Sequence, residues 1–360
     1  MDDLFDYLKW RGDIPFSQVP PTPVDALIFS ELSYLGFGGI VAEHPGQTIS
    51  LREAAEGFFA LPDKTQIYRV KADLRLLKAC ADTLRFGNTE LTFFRELFLP
   101  HADTQFAAVS FLLDDGTAFL AFRGTDYSLT GWKEDFNMSF ADSVPAQREA
   151  LRYTRDFADA YPLLLRLGGH SKGGNVAVYA AAKAEPALQQ RILGVYNNDG
   201  PGFTDALMGD AGYLAMVPKI HTLIPQSSII GMLLEHEEPY TVIKSDLFSI
   251  LQHECFSWEI QGGNFVHVDA IDDHSRFIDR TLKTYLAEMD KNERSEFVDA
   301  FFSLLGAGGA DQVFDLLHPK QIAAVIKSLS TDEKRRNFLF DKTRELLRAA
   351  RTAKQIPSGD

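Results

Sequence analysis

Leu163-Leu164-Leu165-Arg166-Leu167-Gly168-Gly169-His170-Ser171-Lys172-Gly173-Gly174-Asn175-Val176-Ala177-Val178-Tyr179 is the stretch that decides the fold. A leucine-rich run ends in two glycines, a serine sits inside G-x-S-x-G from Gly169 to Gly173, and an alanine-rich helical pattern runs on to about Ala184. The order is strand, tight turn, helix. A serine hydroxyl is a poor nucleophile unless a sharp turn holds it where a base can reach it, and glycines two before and two after leave room for such a turn. The helix that begins after Ser171 aims its free amides at the site, so the Lys172 N–H is placed to hold a developing oxyanion. A phosphate-binding loop is excluded: the segment lacks the G-x-x-x-x-G-K-[ST] spacing and has no Ser or Thr after Lys172.

Working outward, the hydrophobic pattern predicts strands at Gln105–Leu113 and Thr117–Phe122, joined as a hairpin through Asp114-Asp115-Gly116. A charged amphipathic helix, Gln147–Tyr161, then crosses over to the central strand. Beyond the turn, Ile192–Asn197 is a β-branched strand ending in Asn198-Asp199-Gly200-Pro201-Gly202, and further strands are expected at Lys219–Ile224, Tyr240–Lys244 and Phe256–Ile260. Strands alternating with helices imply a parallel sheet with right-handed crossovers. Ligands bind such sheets beyond the carboxyl ends of the strands, where Thr125, Ser171 and Asp199 would emerge.

Two motifs narrow the reading. Phe122-Arg123-Gly124-Thr125 follows the hairpin, Trp132-Lys133-Glu134-Asp135 comes next, and Gly169-His170-Ser171-Lys172-Gly173 follows the crossover helix. In this order, over roughly Gln105–Ile260, they resemble the class 3 lipases and a related bacterial family of lipase-like proteins, with the turn at Ser171 as the nucleophile elbow of an α/β-hydrolase. The resemblance implies an α/β-hydrolase fold and a second oxyanion donor at Thr125. It also implies a general base after the nucleophile, among His221, His236, His253, His267, His274 and His318. The related family carries a Gln-His pair where Gln252-His253 stands; His253 is the expected base, with His267 and His274 as fallbacks. His170 is expected to pack away from the site.

The acid is where the chain departs from the resemblance. The lipase aspartate follows the strand that here reads Lys219–Ile224, yet the next residues are Pro225-Gln226-Ser227-Ser228. Asp199 is the chosen acid. It stands equally as a simple turn-capping residue, and Glu237 and Asp246 remain alternatives. Arg123 is expected to pair with Asp135 to hold its loop and Trp132 to anchor it. Residues 126–143 stand as either a lid or a solvated loop, and Ile229–Leu234 as either an acyl-pocket wall or core. The functional expectation is a serine hydrolase of lipase or esterase type acting on a small-molecule or lipid ester. A thioesterase or acyltransferase with the same triad, or a retired hydrolase that binds a partner, are the alternatives.

The 360 residues carry 36 Lys and Arg against 50 Asp and Glu, a net charge of −14 that argues against a nucleic-acid partner. No apolar run approaches a membrane span and the acidic N-terminus does not read as a signal peptide. Cys80 and Cys255 are too few for a disulfide framework and lack metal-ligand spacing, so a cytoplasmic protein with reduced thiols, no metal and no cofactor is expected. The organisation expected is an N-terminal helical segment over residues 1–100 packed on the core, an α/β-hydrolase core over 101–290 and a C-terminal helical extension over 291–360. The first contains helices at Val24–Leu35, Ser50–Phe59 with a Ser50/Glu53 capping box, and Leu74–Phe86. The tail reads as helices at Arg276–Met289, Asn292–Leu305, Asp311–Leu316, Lys320–Leu329 and Thr331–Ala350. The last is basic and suited to intramolecular packing, a protein partner or self-association.

Overall fold

A computed structural model describes residues 2–126, 128–307, 309–311 and 318–355. Eight strands form one sheet in chain order: β1 (Ile49–Ser50), β2 (Glu90–Leu99), β3 (Thr104–Leu112), β4 (Thr117–Phe122), β5 (Leu164–His170), β6 (Ile192–Asn198), β7 (Ile220–Pro225) and β8 (Tyr240–Ile243). Neighbours from β1 to β4 are antiparallel and those from β4 to β8 are parallel. Helices cover both faces, and this is an α/β-hydrolase fold with an N-terminal helical layer and a C-terminal helical extension.

Two-sided burial follows from the alternation of side chains along each strand. In β4, Phe119 and Ala121 enter the core under the N-terminal helices, whereas Ala118, Leu120 and Phe122 enter the core on the opposite face. The first core is built around the helix Pro23–Leu32, which is buried from Val24 onward. Its Phe29 ring lies 4.7 to 5.6 Å from the rings of Phe16, Phe86, Phe111 and Phe119. Each fully buried aromatic of this kind contributes roughly 1.5–3 kcal/mol by leaving water. The opposite core packs the crossover helix Pro145–Ala160 and the helix Lys172–Ala182 on the parallel strands.

Three expectations are corrected. Residues 1–100 are not wholly helical, because β1 and the ten-residue β2 lie within them. The alternation that would have marked β2 is broken by a bulge between Thr92 and Arg95, where Phe93 adopts φ 59° and joins one core while Phe94 joins the other. No sheet strand spans Phe256–Ile260: Cys255–Ser257 is a 3₁₀ turn and Ile260–Gln261 pairs with Asn264–Phe265 in a separate ribbon. Buried Trp258 explains this, since its indole N–H donates to the Gln252 carbonyl at 2.7 Å and folds the segment back on itself. The expected helix Leu74–Phe86 is two helices, Lys71–Ala81 and Leu84–Gly87, separated by the Thr83 cap.

The tail forms helices Asp273–Ala287, Lys291–Leu305, Pro319–Thr331 and Glu333–Gln355; the expected helix Asp311–Leu316 lies, beyond Asp311, outside the described residues. Its last helix packs Ala349 with Tyr285 and Met289, and several of its basic side chains pair with acids three residues away. No described helix is long and apolar enough to cross a membrane.

The N-terminal layer is locked by a buried ion pair. Asp25 accepts from Arg85 Nε at 2.9 Å and Nη2 at 2.7 Å, from Tyr7 Oη at 2.9 Å and from the Thr22 amide at 2.8 Å, and both members of the pair are fully buried. Removing one partner strands the other charge in the core, so Asp25→Ala is expected to cost about 3–5 kcal/mol. Equilibrium denaturation in urea checks this: the midpoint should fall well below the parental one.

Candidate active site

The elbow is built by close approach. Ser171 sits at φ 58°, ψ −135° between β5 and the helix Lys172–Ala182, a backbone region that costs on the order of 1–3 kcal/mol and persists only when neighbours over-determine it. They do so here. A Cβ on Gly169 would lie 2.2 Å from the Gly173 carbonyl carbon, and one on Gly173 would lie 2.1 Å from the Phe122 oxygen. No side chain fits at either place. The Ser171 amide donates to the Asn198 carbonyl at 2.9 Å, which ties the turn to the end of β6.

Asp199 follows immediately, at φ 53°, a left-handed conformation that Asp tolerates better than most residues. Its carboxylate is fully buried. Oδ1 accepts from the Ser228 hydroxyl and from the Gly231 amide at 3.2 Å, and Oδ2 lies 2.7 Å from His253 Nδ1. Because the carboxylate accepts, Nδ1 carries the proton and Nε2 presents its lone pair. Ser171 and Asp199 thus stand at the carboxyl ends of the adjacent strands β5 and β6, and His253, in the 3₁₀ turn Ser249–His253 after β8, reaches Asp199. It leaves the alternatives elsewhere: Glu237, Asp246, His267 and His274 are exposed, His236 is bonded to Glu238, and His221 stacks on Tyr196. Ser228, in the stretch after β7 that lacks a carboxylate, supports the carboxylate of Asp199.

Thr125 leaves the end of β4, and its hydroxyl donates to Asp135 Oδ2 at 2.5 Å. The expected Arg123–Asp135 pair does not form. Arg123 turns under the sheet edge, where it pairs with Glu96 and donates to the Ser33 carbonyl at 2.9 Å and the Leu35 carbonyl at 3.2 Å, leaving Asp135 to Thr125. Burial pushes the Asp135 carboxyl up to about 7, against the opposing pull of Lys172 and the Thr125 hydroxyl. The Lys172 ammonium is buried, bonded at 2.9 Å to the Gln105 carbonyl, the Gln105 side chain and Glu134. That lysine pins the helix start, so only its backbone is available to a ligand. Amides in the first turn of a helix have no partner within it, and that of Lys172 is one of them.

Residues 128–143 are packed on the tail. They contain the helix Leu129–Asn137, held by the tail: Phe136 packs on Phe301 and Phe302, Lys133 pairs with Asp299 at 2.9 Å, and Arg294 donates to the Ser139 carbonyl at 2.7 Å. Trp132 is an anchor in that contact, as expected. Met232, within Ile229–Leu234, packs with Ile224, Val242 and Ile271, and with Leu234 it lines a cleft of about 350 Å³ whose other wall carries Arg276, Asp279 and Lys283.

Among the described residues, Glu31, Glu254 and Cys255 bring potential metal-ligand atoms within 4.8 Å of one another. Arg69 already supplies the counter-charge there, bonded to Glu31 at 3.0 Å and Glu254 at 2.8 Å, so the donor set does not suit a further cation. Sequence reasoning missed this cluster; His170, expected to pack away from the site, is fully buried but bonded through Nε2 to the His253 carbonyl at 2.8 Å. Glu134 was also missed, although it stands inside the Trp132–Asp135 motif.

No curated protein matches the chain. Among solved structures it is similar to a Rhizomucor miehei lipase–propeptide complex, at 18% identity over 49% of this chain and 69% of that one, with a TM-score of 0.36. It is also similar to lipase II of Rhizopus niveus, at 16% identity over 53% and 85% with a TM-score of 0.38. A mutant MDLA protein of Penicillium cyclopium is similar at 14% identity over 69% and 86% with a TM-score of 0.37. At these values no residue role passes from those proteins to this chain. The sequence itself matches the Mbeg1-like family over residues 80–303, from the end of the N-terminal layer through the elbow and the His253 loop into the tail, and the chain belongs to that family.

Proposed function

We propose that this protein is a serine hydrolase of lipase or esterase type that cleaves carboxylic esters through Ser171, His253 and Asp199. The observation that carries the reading is an imidazole whose Nδ1 lies 2.7 Å from a buried aspartate at the end of the strand beside the strained serine elbow. A serine on such a turn, a histidine base and an acid that fixes the base's tautomer are the components of nucleophilic acyl transfer.

In the acylation half, Ser171 Oγ attacks the ester carbonyl carbon as His253 Nε2 takes the hydroxyl proton. The backbone amides of Thr125 and Lys172 hold the resulting oxyanion. The Thr125 hydroxyl bond to Asp135 fixes that loop, and each such donor contributes on the order of 10²–10³ in turnover. Collapse of the tetrahedral species breaks the carbon–oxygen bond to the alcohol, which leaves with the proton from His253. Water, deprotonated by the same imidazole, then attacks the acyl-serine and releases the acid. The Asp199 carboxylate supports the imidazolium between these transfers.

Ser171→Ala is expected to abolish hydrolysis of short p-nitrophenyl esters, by about 10⁴-fold or more, and to abolish labelling by a fluorophosphonate probe, while circular dichroism stays parental. Equal turnover by mutant and parent would sink the proposal.

Asp199→Asn should leave KM near the parental value and lower kcat by roughly 10⁴-fold, because an amide at Oδ2 favours the wrong imidazole tautomer. Steady-state kinetics beside Glu237→Gln and Asp246→Asn make the comparison. Loss of activity in either of those, with Asp199→Asn near parental, would move the acid away from Asp199.

A further inference from the structure

Behind the imidazole of His253 lies a second array of buried polar groups that the reaction above does not use. His170 is fully buried, and its Nε2 lies 2.8 Å from the His253 carbonyl, so that nitrogen carries the proton. Burial holds the His170 imidazole well below its ordinary pKa, so the ring is neutral and its Nδ1 is an acceptor. Two groups face that Nδ1: Tyr34 Oη at 3.2 Å and Glu31 Oε1 at 3.3 Å. The His170 and His253 rings lie with centroids 4.5 Å apart.

The other side of the loop is held by charge. Arg69 forks onto Glu254, the residue after His253, with Nη1 to Oε2 at 3.1 Å and Nη2 to Oε1 at 2.8 Å. The same Nη2 reaches Glu31 Oε2 at 3.0 Å. One guanidinium thus bonds two carboxylates, and a third, Asp73, accepts from the backbone amide of Arg69 at 2.9 Å. One positive charge beside two carboxylates leaves a negative charge uncompensated, and because Glu31 is fully buried while Glu254 is partly exposed, burial favours Glu31 as the neutral acid. A proton on Glu31 Oε1 lets that atom donate to His170 Nδ1, 3.3 Å away.

We propose that Glu31 and Arg69 are positioning residues for the general base: Arg69 grips the His253 loop through Glu254, and protonated Glu31 grips it through His170. The inference rests on the Ser171–His253–Asp199 reading. It assigns the N-terminal layer a part in the reaction, since Glu31 lies in the last turn of the helix Pro23–Leu32 and Arg69 precedes the helix Lys71–Ala81.

A pH dependence follows. Burial raises the Glu31 carboxyl to about 8, with Arg69 opposing it and Asp73 and Glu254 adding to it; Tyr34, Cys255 and His170 are the other titratable groups that face it. Below about 8 the carboxyl donates to His170. Above that, a carboxylate confronts the Nδ1 lone pair, the grip on the His253 carbonyl weakens, and kcat falls. The alkaline limb of the kcat profile therefore belongs to Glu31.

The test compares the full chain with Glu31→Gln, Glu31→Leu and Arg69→Met, using kcat and KM for a p-nitrophenyl ester from pH 6 to 10 and ¹⁵N NMR of the histidine rings. Glutamine can donate to His170 and accept from Arg69 but cannot ionise. Glu31→Gln should keep parental kcat at neutral pH and lose the alkaline fall. Glu31→Leu and Arg69→Met should lower kcat by about 10²-fold with KM little changed, the size expected for a misplaced catalytic group. In the parent, the His170 Nδ1 resonance should step near the Glu31 ionisation and stay flat in Glu31→Gln. A parent and Glu31→Gln that share one alkaline limb, or one flat resonance, overturn the assignment of Glu31. A parent with the resonance step but no fluorophosphonate labelling would instead overturn the Ser171 reading and leave the Glu31–His170 contact standing.

Discussion

The contact on which this structure depends is the approach of Gly173 to Gly169 and to the Phe122 carbonyl. With backbone passing backbone at distances no side chain allows, the chain turns sharply enough to put Ser171 at positive φ and to start a helix at the next residue. The same approach fixes β4 against β5, so the loop that carries Thr125 leaves the sheet beside the serine. Strain at one residue is held by the burial of both adjoining elements, which is why the elbow lies at the centre of the sheet.

Around that point the molecule sorts its buried charges into separate sets, each closed by hydrogen bonds. Asp25 and Arg85 tie down the N-terminal layer, Lys172 and Glu134 pin the elbow helix, Asp199 and His253 bridge β6 to the loop after β8, and Arg69 joins Glu31 to Glu254. An isolated buried charge costs far more than a paired one, so each set constrains the position of its elements. The result is that helices far from Ser171 in sequence reach it through few intermediates. The N-terminal layer touches it through His170, and the tail touches it through the helix Leu129–Asn137, which carries Asp135.

Residues 126–143 illustrate how context overrides a local reading. Their mixture of Gly, Ser, Thr and aromatics suits a loop or a lid equally. What settles the helix is the apolar surface of the tail helix Lys291–Leu305, whose Phe301 and Phe302 cover Phe136, together with the Leu129 amide bonding to the Asp311 carbonyl at 2.9 Å. Helix propensity alone would not favour so short a segment, and tertiary packing supplies the difference.

The sequence by itself determined what depends on neighbours along the chain. The elbow was legible because two glycines at fixed spacing, an apolar run before and an alanine-rich run after are all local requirements of one turn, and the hairpin was legible because its turn chemistry is equally local. The Ser50/Glu53 capping box formed as its spacing demanded. Only the tertiary structure decided which groups meet across the fold. Strand β2 was hidden because a bulge at Phe93 breaks its alternation, and Arg123 chose Glu96 over Asp135 because the sheet edge brought Glu96 nearer. His253 could be preferred from its place after Gln252, but its contact with Asp199 spans 54 residues, and that of Arg69 with Glu254 spans 185. Such pairs carry no spacing rule, since chain connectivity does not set the distance between them; the sheet order and the burial of both partners do.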